Sequence, residues 1–377
     1  MNLRRLSAVA KKECLHILRD SSSLYISIAL PMILLLLYGY ALTLDVDRVP
    51  IVIWDQSETT ESRELISRFT GSHYFTAQSF ASGYKDIEHA IDTRQALAAL
   101  IIPKEFAQLL GAGESTPVQM IVDGTDANTA TLALGYAQVV TLVYSQEIIL
   151  QKARQLRGQV LTVPIDVRPR AWFNPDLESK NYIIPGLIAV IMMVIAALLT
   201  SLTIAREWET GTMEQLISTP IKGPELITGK LIPYIFLGLL DVLLAVLMGK
   251  YLFHVPLRGN VGLLFAMATV FLAGAMSLGM LISIITKSQM LASQAAIVVT
   301  FLPSFLLSGF IFAISNMPVV IQWVAHLIPA TYFITLLKGI YLKGIGLEVL
   351  ALEAVLLTLF SVVVVLLANF KFKRKLV

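Results

Sequence analysis

The chain has 377 residues, of which 56% are hydrophobic and only 15% are charged, and its mean hydropathy is +0.73. These values exclude an ordinary soluble globular protein. The net charge of +3 is the sum of two regions with opposite charge. Residues 45–180 hold 12 Lys or Arg and 17 Asp or Glu, whereas the rest of the chain holds 17 Lys or Arg and 9 Asp or Glu. The composition therefore predicts a polar, slightly acidic domain set into a basic, membrane-spanning body.

The first 44 residues predict a surface helix followed by a membrane span. In residues 1–23, apolar side chains recur near helical spacing with Lys and Arg on the other face, which is typical of an amphipathic helix on the cytoplasmic membrane surface. The alternative is a basic flank that only sets the topology. Residues 24–44 carry no charge. As a helix they would span about 31 Å, and we interpret them as an uncleaved signal anchor.

Residues 45–180 predict a small α/β extracytoplasmic domain. Strands are predicted at Pro50–Trp54, Ala96–Ile102 and Val118–Val122, and helices at Thr59–Phe69, Tyr84–Thr93 and Asp126–Leu156. The single cysteine, Cys14, precedes the first span, so the domain is expected to fold without a disulfide. Its acidic and histidine residues show no metal-ligand spacing and no catalytic pattern. Docking of a partner protein on this domain is a hypothesis.

Residues 181–377 predict five further spans, at Tyr182–Ala205, Leu231–Leu252, Val261–Ile285, Met290–Phe312 and Leu347–Phe370. With residues 24–44, this makes six predicted spans. Lys and Arg residues in the short connections indicate the orientation, because they concentrate in the cytoplasm. Thirteen lie on the side of the two termini, and four lie on the other side, at Lys250, Arg258, Lys338 and Lys343. Both termini are therefore predicted to be cytoplasmic and residues 45–180 to be outside.

Two cytoplasmic motifs bear on the function. Gly223 to Lys230 superficially resembles a phosphate-binding P-loop, but five residues separate its glycines instead of four and Leu231 replaces the Ser or Thr that binds Mg²⁺. We therefore expect no ATP binding there. In the loop 206–220, Thr210 or Thr212 could cap a short helix that ends before Pro220, and such a helix could transmit a push from a docked protein. The alternative is a solvated connector.

The apolar spans contain three further signals. Asp241 lies inside the third span, where a carboxylate is costly and suggests a function, although a packing hydrogen bond or a protonated carboxyl explains it equally well. Gly274 and Gly279 on the fourth span predict close helix packing. Residues 288–337 contain no charge but are broken by prolines and Gly309, which predicts a full span followed by outer re-entrant helices at 313–343.

These last motifs resemble those of a known family, the membrane (permease) subunits of bacterial type-2 ABC transporters. The match comprises Leu307-Ser-Gly-Phe-Ile-Phe, Asn316-Met-Pro, Ile328-Pro-Ala-Thr-Tyr-Phe and Lys338-Gly-Ile, with Lys338 where the family commonly has Arg. The segment Arg206-Glu-Trp-Glu-Thr-Gly-Thr-Met-Glu is similar to the family's coupling loop. Phe173-Asn174-Pro175 with Ile184-Pro185-Gly186 resembles its entry into the second span. The resemblance covers the whole chain and is weakest in the exterior domain.

The resemblance implies a polytopic α-helical exporter subunit of the inner membrane without catalytic residues or a cofactor of its own. ATP and Mg²⁺ would bind a separate ATPase subunit, and the permease would pair with a second copy or a paralogue. It implies an ATPase-coupling role for Arg206, Glu207, Glu209, Gly211, Thr212, Met213 and Glu214. It implies an outer gate at Gly309, Pro318, Pro329, Tyr332 and Phe333.

Further partners under this interpretation are membrane lipid and a periplasmic adaptor, with no nucleic acid, and the expected substrate is a drug or lipid-like amphiphile. Two competing functions stay open. One is a proton-coupled secondary transporter that uses Asp241. The other is a membrane-anchored receptor, for which six spans and a broken re-entrant segment are excessive.

Overall fold

The computed structural model describes residues 2–20, 24–42, 48–157, 173–174 and 178–374. Predictions for the ends of the surface helix and of the first span, and for Pro175, lie outside these ranges. The chain divides into two compact units. One is formed by Met1–Thr43 with Arg170–Val377, and the other by Leu44–Pro169.

The smaller unit is an α/β domain built on a four-stranded sheet. Its elements are β1 (Val49–Asp55), α3 (Thr60–Thr70), β2 (Phe75–Phe80), α4 (Tyr84–Asp92), β3 (Ala98–Ile102), α5 (Phe106–Ala112), β4 (Gln119–Val122) and α6 (Ala127–Arg157). The strand order is β2-β1-β3-β4; β1 is parallel to both of its neighbours, and β4 is antiparallel to β3. Parallel neighbours need crossover connections, and the helices between the strands supply them.

Both faces of this sheet are covered. On one face Ile51, Ile53 and Leu100 pack against α3 and the buried side of α6, and on the other face Val52 and Ala99 pack against α4. Every residue of β3 is buried, as expected for a central strand. The sequence correctly located three strands and three helices of this domain, but it missed β2 and α5.

The larger unit is almost entirely helical. It contains α1 (Leu3–Arg19), a π-helical turn (Tyr25–Ala29) that continues into α2 (Leu30–Ala41), and then α7 (Ser179–Glu209), α8 (Thr212–Ile217), α9 (Gly223–Tyr251), α10 (Val261–Thr286) and α11 (Gln289–Leu306). After a 3₁₀ turn at Ile314–Asn316 come α12 (Val319–Ala325), α13 (Pro329–Lys338), a second π-helical turn (Gly339–Lys343) and α14 (Leu347–Arg374). The predicted fold class, a helical polytopic membrane protein with a small α/β domain, is confirmed.

Six helices in the described ranges are long and apolar enough to cross a bilayer. Five of them, α7, α9, α10, α11 and α14, correspond to predicted spans. The sixth is Thr129–Leu150, within α6, which we assign to the α/β domain because Ala133, Ala137 and Tyr144 pack into the core of its sheet. The helix in the predicted first span is shorter, at Ser27–Ala41. The fifth predicted span also ends early, at Leu306 rather than Phe312.

Helix α7 is the centre of the larger unit, and close packing against α10 fixes it there. A Cβ added to Gly279 would lie 2.8 Å from the backbone carbonyl carbon of Ala197, so the two helices touch at backbone distance. The Thr200 hydroxyl donates to the carbonyl of Met276 at 2.8 Å in the same crossing. Gly274 similarly packs against Ser361 of α14, because a Cβ at position 274 would lie 3.2 Å from Cα of Ser361. The small-residue packing predicted for the fourth span is therefore present.

Candidate functional site

The short helix α8 lies in the segment whose sequence resembles a coupling loop. It begins after Gly211, whose positive φ of 73° is a left-handed conformation that glycine adopts without strain. The prediction that Thr210 or Thr212 would cap this helix is wrong. The Thr212 hydroxyl instead donates to the carboxylate of Glu207, at the end of α7. Arg206, Glu207 and Glu209 also belong to α7 rather than to a loop.

The carboxylate of Glu207 joins four elements of the unit. Its Oε1 accepts from Lys12 Nζ of α1 at 2.8 Å and from Lys230 Nζ of α9 at 3.1 Å. Its Oε2 accepts from Thr212 of α8. Glu207 therefore ties the last turn of α7 to α1, to α8 and to α9.

Lys230 completes this cluster with a second carboxylate. Its Nζ lies 2.5 Å from Oε1 of Glu13 on α1. Lys230 is 1% exposed and Glu13 is 2% exposed, so both charged groups are buried. Removing one member of such a pair leaves an uncompensated buried charge, which costs about 3–5 kcal/mol. We call Lys12, Glu13, Glu207, Thr212 and Lys230 the Glu207 cluster.

Further polar contacts adjoin the Glu207 cluster at the end of α7. Arg206 pairs with Asp20 at 3.2 Å and donates to Gln289 Oε1 of α11 at 3.3 Å. Glu209 accepts from the backbone N–H and the side-chain amide of Gln289, at 2.8 and 2.6 Å. These bonds extend the cluster to the beginning of α11.

The approach of α1 to α9 depends on a missing side chain. A Cβ on Gly229 would lie 2.8 Å from Cβ of Val9 and 3.2 Å from the carbonyl oxygen of Leu6. This close approach brings Glu13 within reach of Lys230, one residue after Gly229. A cavity of about 300 Å³ remains beside the cluster, lined also by Leu199, Leu202 and Tyr234.

Helix α8 presents two different faces. Met213 is fully buried, whereas Glu214 and Gln215 are exposed together with Ser218 and Thr219 after the helix. A push on the exposed face would reach α7 and α9 through Thr212 and Glu207. In the described residues no group of three or more His, Cys, Asp or Glu side chains could hold a metal ion.

Sequence reasoning missed Glu13, Lys12 and Lys230 as members of this site. Lys230 is the last residue of the segment that resembles a P-loop, and its partner is a carboxylate 217 residues earlier rather than a phosphate. One signal was present: Glu13 is an acid within the otherwise basic segment 1–19. Nothing in the sequence says which base it meets.

Gly309, one of the predicted outer-gate residues, lies in a second polar site. Gly309 has φ of +79°, and its carbonyl accepts from the Tyr182 hydroxyl at 3.0 Å and from Lys338 Nζ at 3.4 Å. The same ammonium lies 3.3 Å from the centre of the Tyr182 ring, a cation–π arrangement. Tyr182 and Lys338 therefore fix the turn after α11.

The two short helices that follow form a bent pair. Pro318 and Pro329 stand at their beginnings, and the axes of Val319–Ala325 and Pro329–Lys343 differ by 82°. The Tyr332 hydroxyl donates to the carbonyl of His326, and buried Phe333 stacks on Phe271 of α10 at 4.1 Å. The bend is the geometry expected of a broken, re-entrant segment.

Asp241 lies apart from both sites. It is 2% exposed on α9, and its Oδ1 has no hydrogen-bond partner among the described residues. No intramembrane base pairs with it in the part of the chain that the structure describes.

Comparison with known proteins assigns the family. Residues 22–370 match the family described as ABC-2 family transporter protein. The chain belongs to this family. It is 38% identical, over its whole length and 98% of the relative, to the probable multidrug ABC transporter permease YbhS of Escherichia coli.

Other relatives agree with this assignment. The chain is 30% identical to the probable multidrug ABC transporter permease YbhR of the same bacterium, over 92% of each protein. It is 26% identical to the inner membrane transport permease YhhJ of Escherichia coli, over 80% of this chain and 78% of that one. As an ABC-2 permease, the chain is a multi-pass membrane protein, and the resemblance found in the sequence is confirmed.

Proposed function

We propose that this ABC-2 permease exports an amphiphilic drug or lipid-like substrate, driven by ATP hydrolysis on a separate ATPase subunit that docks on α8. The observation that carries this proposal is the Glu207 cluster. It connects a short helix with an exposed polar face to the buried ends of two long apolar helices.

The proposed movement begins at the exposed face of α8. Closure of two ATPase subunits would displace Glu214 and its neighbours, and the bond from Thr212 to Glu207 would carry that displacement to α7. Lys230 and Lys12 would carry it to α9 and α1. Because α7 packs at backbone distance against α10, its displacement would move the centre of the unit. ATP would thus shift the population between inward-open and outward-open states.

Export direction and substrate class rest on two supports. The relatives YbhS and YbhR carry the word multidrug in their names. The bent segment at 313–343 is apolar and uncharged up to Lys338, which suits an outer gate for an amphiphile. Two permease relatives from one organism also favour pairing with a paralogue over pairing with a second copy.

The topology belongs to the same proposal. The excess of Lys and Arg on the side of the termini would place α1 and the Glu207 cluster at the cytoplasmic face of the inner membrane. The α/β domain would then be extracytoplasmic, where a periplasmic adaptor could reach it. Helix α1 would lie against membrane lipid through Leu3 and Leu18, which are exposed.

Reversing one exposed charge tests the docking surface. Glu214→Lys should weaken association with the ATPase subunit about three- to tenfold, because a charged contact on the rim of an interface would become repulsive. ATP-driven transport should fall with it, while the stability of the permease stays unchanged since Glu214 is exposed. Co-purification of the ATPase and transport into vesicles are the two measurements.

Glu348→Lys is the matched control for this charge reversal. Glu348 is also exposed but lies in the first turn of α14, which the predicted topology places at the outer end. Unchanged ATPase association in Glu214→Lys would show that α8 is not the docking surface.

Transport itself is tested in vesicles that contain both subunits. A hydrolysis-deficient ATPase partner should abolish accumulation of substrate in vesicles with the cytoplasmic face outside. Transport by this polypeptide without nucleotide would contradict the proposal.

Asp241→Asn separates the proposal from a proton-coupled mechanism. The amide keeps the size of the carboxyl but cannot exchange a proton, so ATP-driven transport should stay within about twofold of the unsubstituted rate. Transport should be measured with and without a proton gradient. Loss of transport in Asp241→Asn, with normal folding and ATPase association, would favour a carrier in which Asp241 titrates.

A further inference from the structure

The beginning of α7 packs on the turn after α11, at residues 307–313, which we call the Gly309 turn. The Tyr182 hydroxyl donates to the carbonyl of Gly309 at 3.0 Å. One turn further along α7, a Cβ added to Gly186 would lie 2.5 Å from Cδ2 of Phe310, which is 2% exposed. The Gly309 turn is therefore closed against α7 by one hydrogen bond and one tight apolar contact.

Lys338, the last residue of α13, holds the same two groups together. Its ammonium lies 3.3 Å from the centre of the Tyr182 ring and 3.4 Å from the carbonyl oxygen of Gly309. Lys338 is half-buried, and no carboxylate of the described residues lies near enough to pair with it. A cation in such a place depends on the ring and the carbonyl to replace its lost contacts with water. Tyr182 and Lys338 thus join α7, α13 and the Gly309 turn through a single carbonyl.

Helix α7 connects these contacts directly to the Glu207 cluster. Tyr182 and Glu207 lie 25 residues apart on one continuous helix, which places them about 37 Å apart along its axis. Pro185 cannot donate the backbone hydrogen bond to Asn181, so the first turn of α7 can tilt more easily than the rest of the helix. A displacement at Glu207 would therefore reach Tyr182, at the end of α7 that is predicted to be outside.

We propose that Tyr182 and Lys338 form a latch that holds the Gly309 turn closed in the absence of nucleotide, and that displacement of α7 releases it. Both are positioning residues, because each acts on the carbonyl of Gly309. The release rests on the ATP-driven movement of the proposed function, whereas the closed latch does not. The two parts are therefore measured separately.

The test measures the exposure of a single cysteine in the Gly309 turn, in the full-length protein in lipid nanodiscs. Cys14→Ala removes the native thiol, and Ser308→Cys places one thiol beside Gly309, at a side chain that is 1% exposed. A charged maleimide that does not enter lipid should label this thiol slowly while the latch is closed. Tyr182→Phe removes only the hydroxyl and should speed labelling about three- to tenfold, because one hydrogen bond to the turn is lost.

Substitutions of Lys338 separate its charge from its length. Lys338→Met should also speed labelling several-fold, because the turn loses the ammonium that holds its carbonyl. Lys338→Arg keeps a cation that can lie over the Tyr182 ring, so labelling should stay slow. A side chain that only fills space would not distinguish arginine from methionine in this way.

Two controls make the measurement specific. Tyr251→Phe removes the hydroxyl of an exposed tyrosine on α9 and should leave labelling at position 308 unchanged. Ser277→Cys places the thiol at a fully buried position on α10 and should stay unlabelled in every variant. Ser304→Cys, also fully buried and one helical turn before Ser308, is a second reporter if Ser308→Cys does not fold.

The complex with the ATPase subunit tests the release. Addition of ATP should speed labelling of Ser308→Cys, with Tyr182 and Lys338 unsubstituted, toward the rate seen in Tyr182→Phe. If Tyr182→Phe speeds labelling but ATP does not, the ATP-driven movement of the proposed function is contradicted and the closed latch is supported.

Two results would overturn the latch itself. Unchanged labelling in both Tyr182→Phe and Lys338→Met would show that these residues do not hold the Gly309 turn. Equal acceleration at positions 277 and 308 would show that the substitutions loosen the whole helical unit rather than the turn.

Discussion

Lys230→Met is expected to lower the free energy of unfolding by about 3–5 kcal/mol, because it leaves Glu13 and Glu207 buried without their shared ammonium. Transport driven by ATP should be lost as well, since the buried ion pairs that join α9 to α1 and α7 would be gone. Thermal denaturation followed by circular dichroism measures the first effect, and vesicle transport measures the second.

Two further variants separate charge from size in this prediction. Lys230→Met combined with Glu13→Gln removes one buried carboxylate together with its base and should recover part of the lost stability. Lys11→Met, at an exposed lysine of the same surface helix, should have little effect. If the double variant were as unstable as Lys230→Met, the buried carboxylates would not be the cause of the instability.

Gly279→Ala is expected to destabilise the protein by about 3 kcal/mol, the upper end of the overpacking range, because the added methyl group meets a backbone carbonyl rather than a movable side chain. Helices α7 and α10 would have to separate, which would also weaken the bond from Thr200 to the carbonyl of Met276. The thermal midpoint of the purified protein measures this effect.

Gly135→Ala is the matched control for this substitution. Gly135 lies within α6, is exposed, and a Cβ there would meet nothing within 4 Å. Alanine should therefore be neutral or stabilise this helix by up to about 1 kcal/mol. Equal destabilisation by both substitutions would mean that the close contact between α7 and α10 is not the cause of the effect.

Much of the fold could be predicted because membrane solvation imposes strong rules on the sequence. Long apolar runs predicted α7, α10 and α14 to within four residues of each end, and α9 except for its first eight residues. Gly274 and Gly279 correctly indicated close packing. Proline positions predicted the broken segment, where Pro318 and Pro329 begin the two bent helices. These features are local, so one sequence is enough to find them.

The missed elements lack such local signals. Only Phe75 of β2 is buried, because β2 is an edge strand, and its polar residues therefore read as a loop. The segment Thr129–Leu150 of α6 is long and apolar enough for a membrane span. Its residues Ala133, Ala137 and Tyr144 are nevertheless buried against the sheet of the α/β domain. Hydropathy cannot distinguish burial in protein from burial in lipid.

The candidate site was predictable only in part. Motif resemblance located α8 and the end of α7, including Glu207 and Thr212. The charge partners of Glu207 could not be found, because Lys12 is 195 residues away along the chain and each lysine alone resembles a topology-setting flank. Pairings of this kind arise from the fold, and a single sequence does not contain them.

The close approach of Gly229 to Val9 has an evolutionary consequence. Since a side chain at position 229 would strike both Val9 and the backbone at Leu6, relatives that keep this helix pairing should hardly ever vary there. Where a residue larger than glycine does occur at position 229, the residue at position 9 should be smaller than valine, and the segment before it should be shifted. An aligned set of related permeases should therefore show these two positions, 220 residues apart, substituting as a linked pair or remaining fixed.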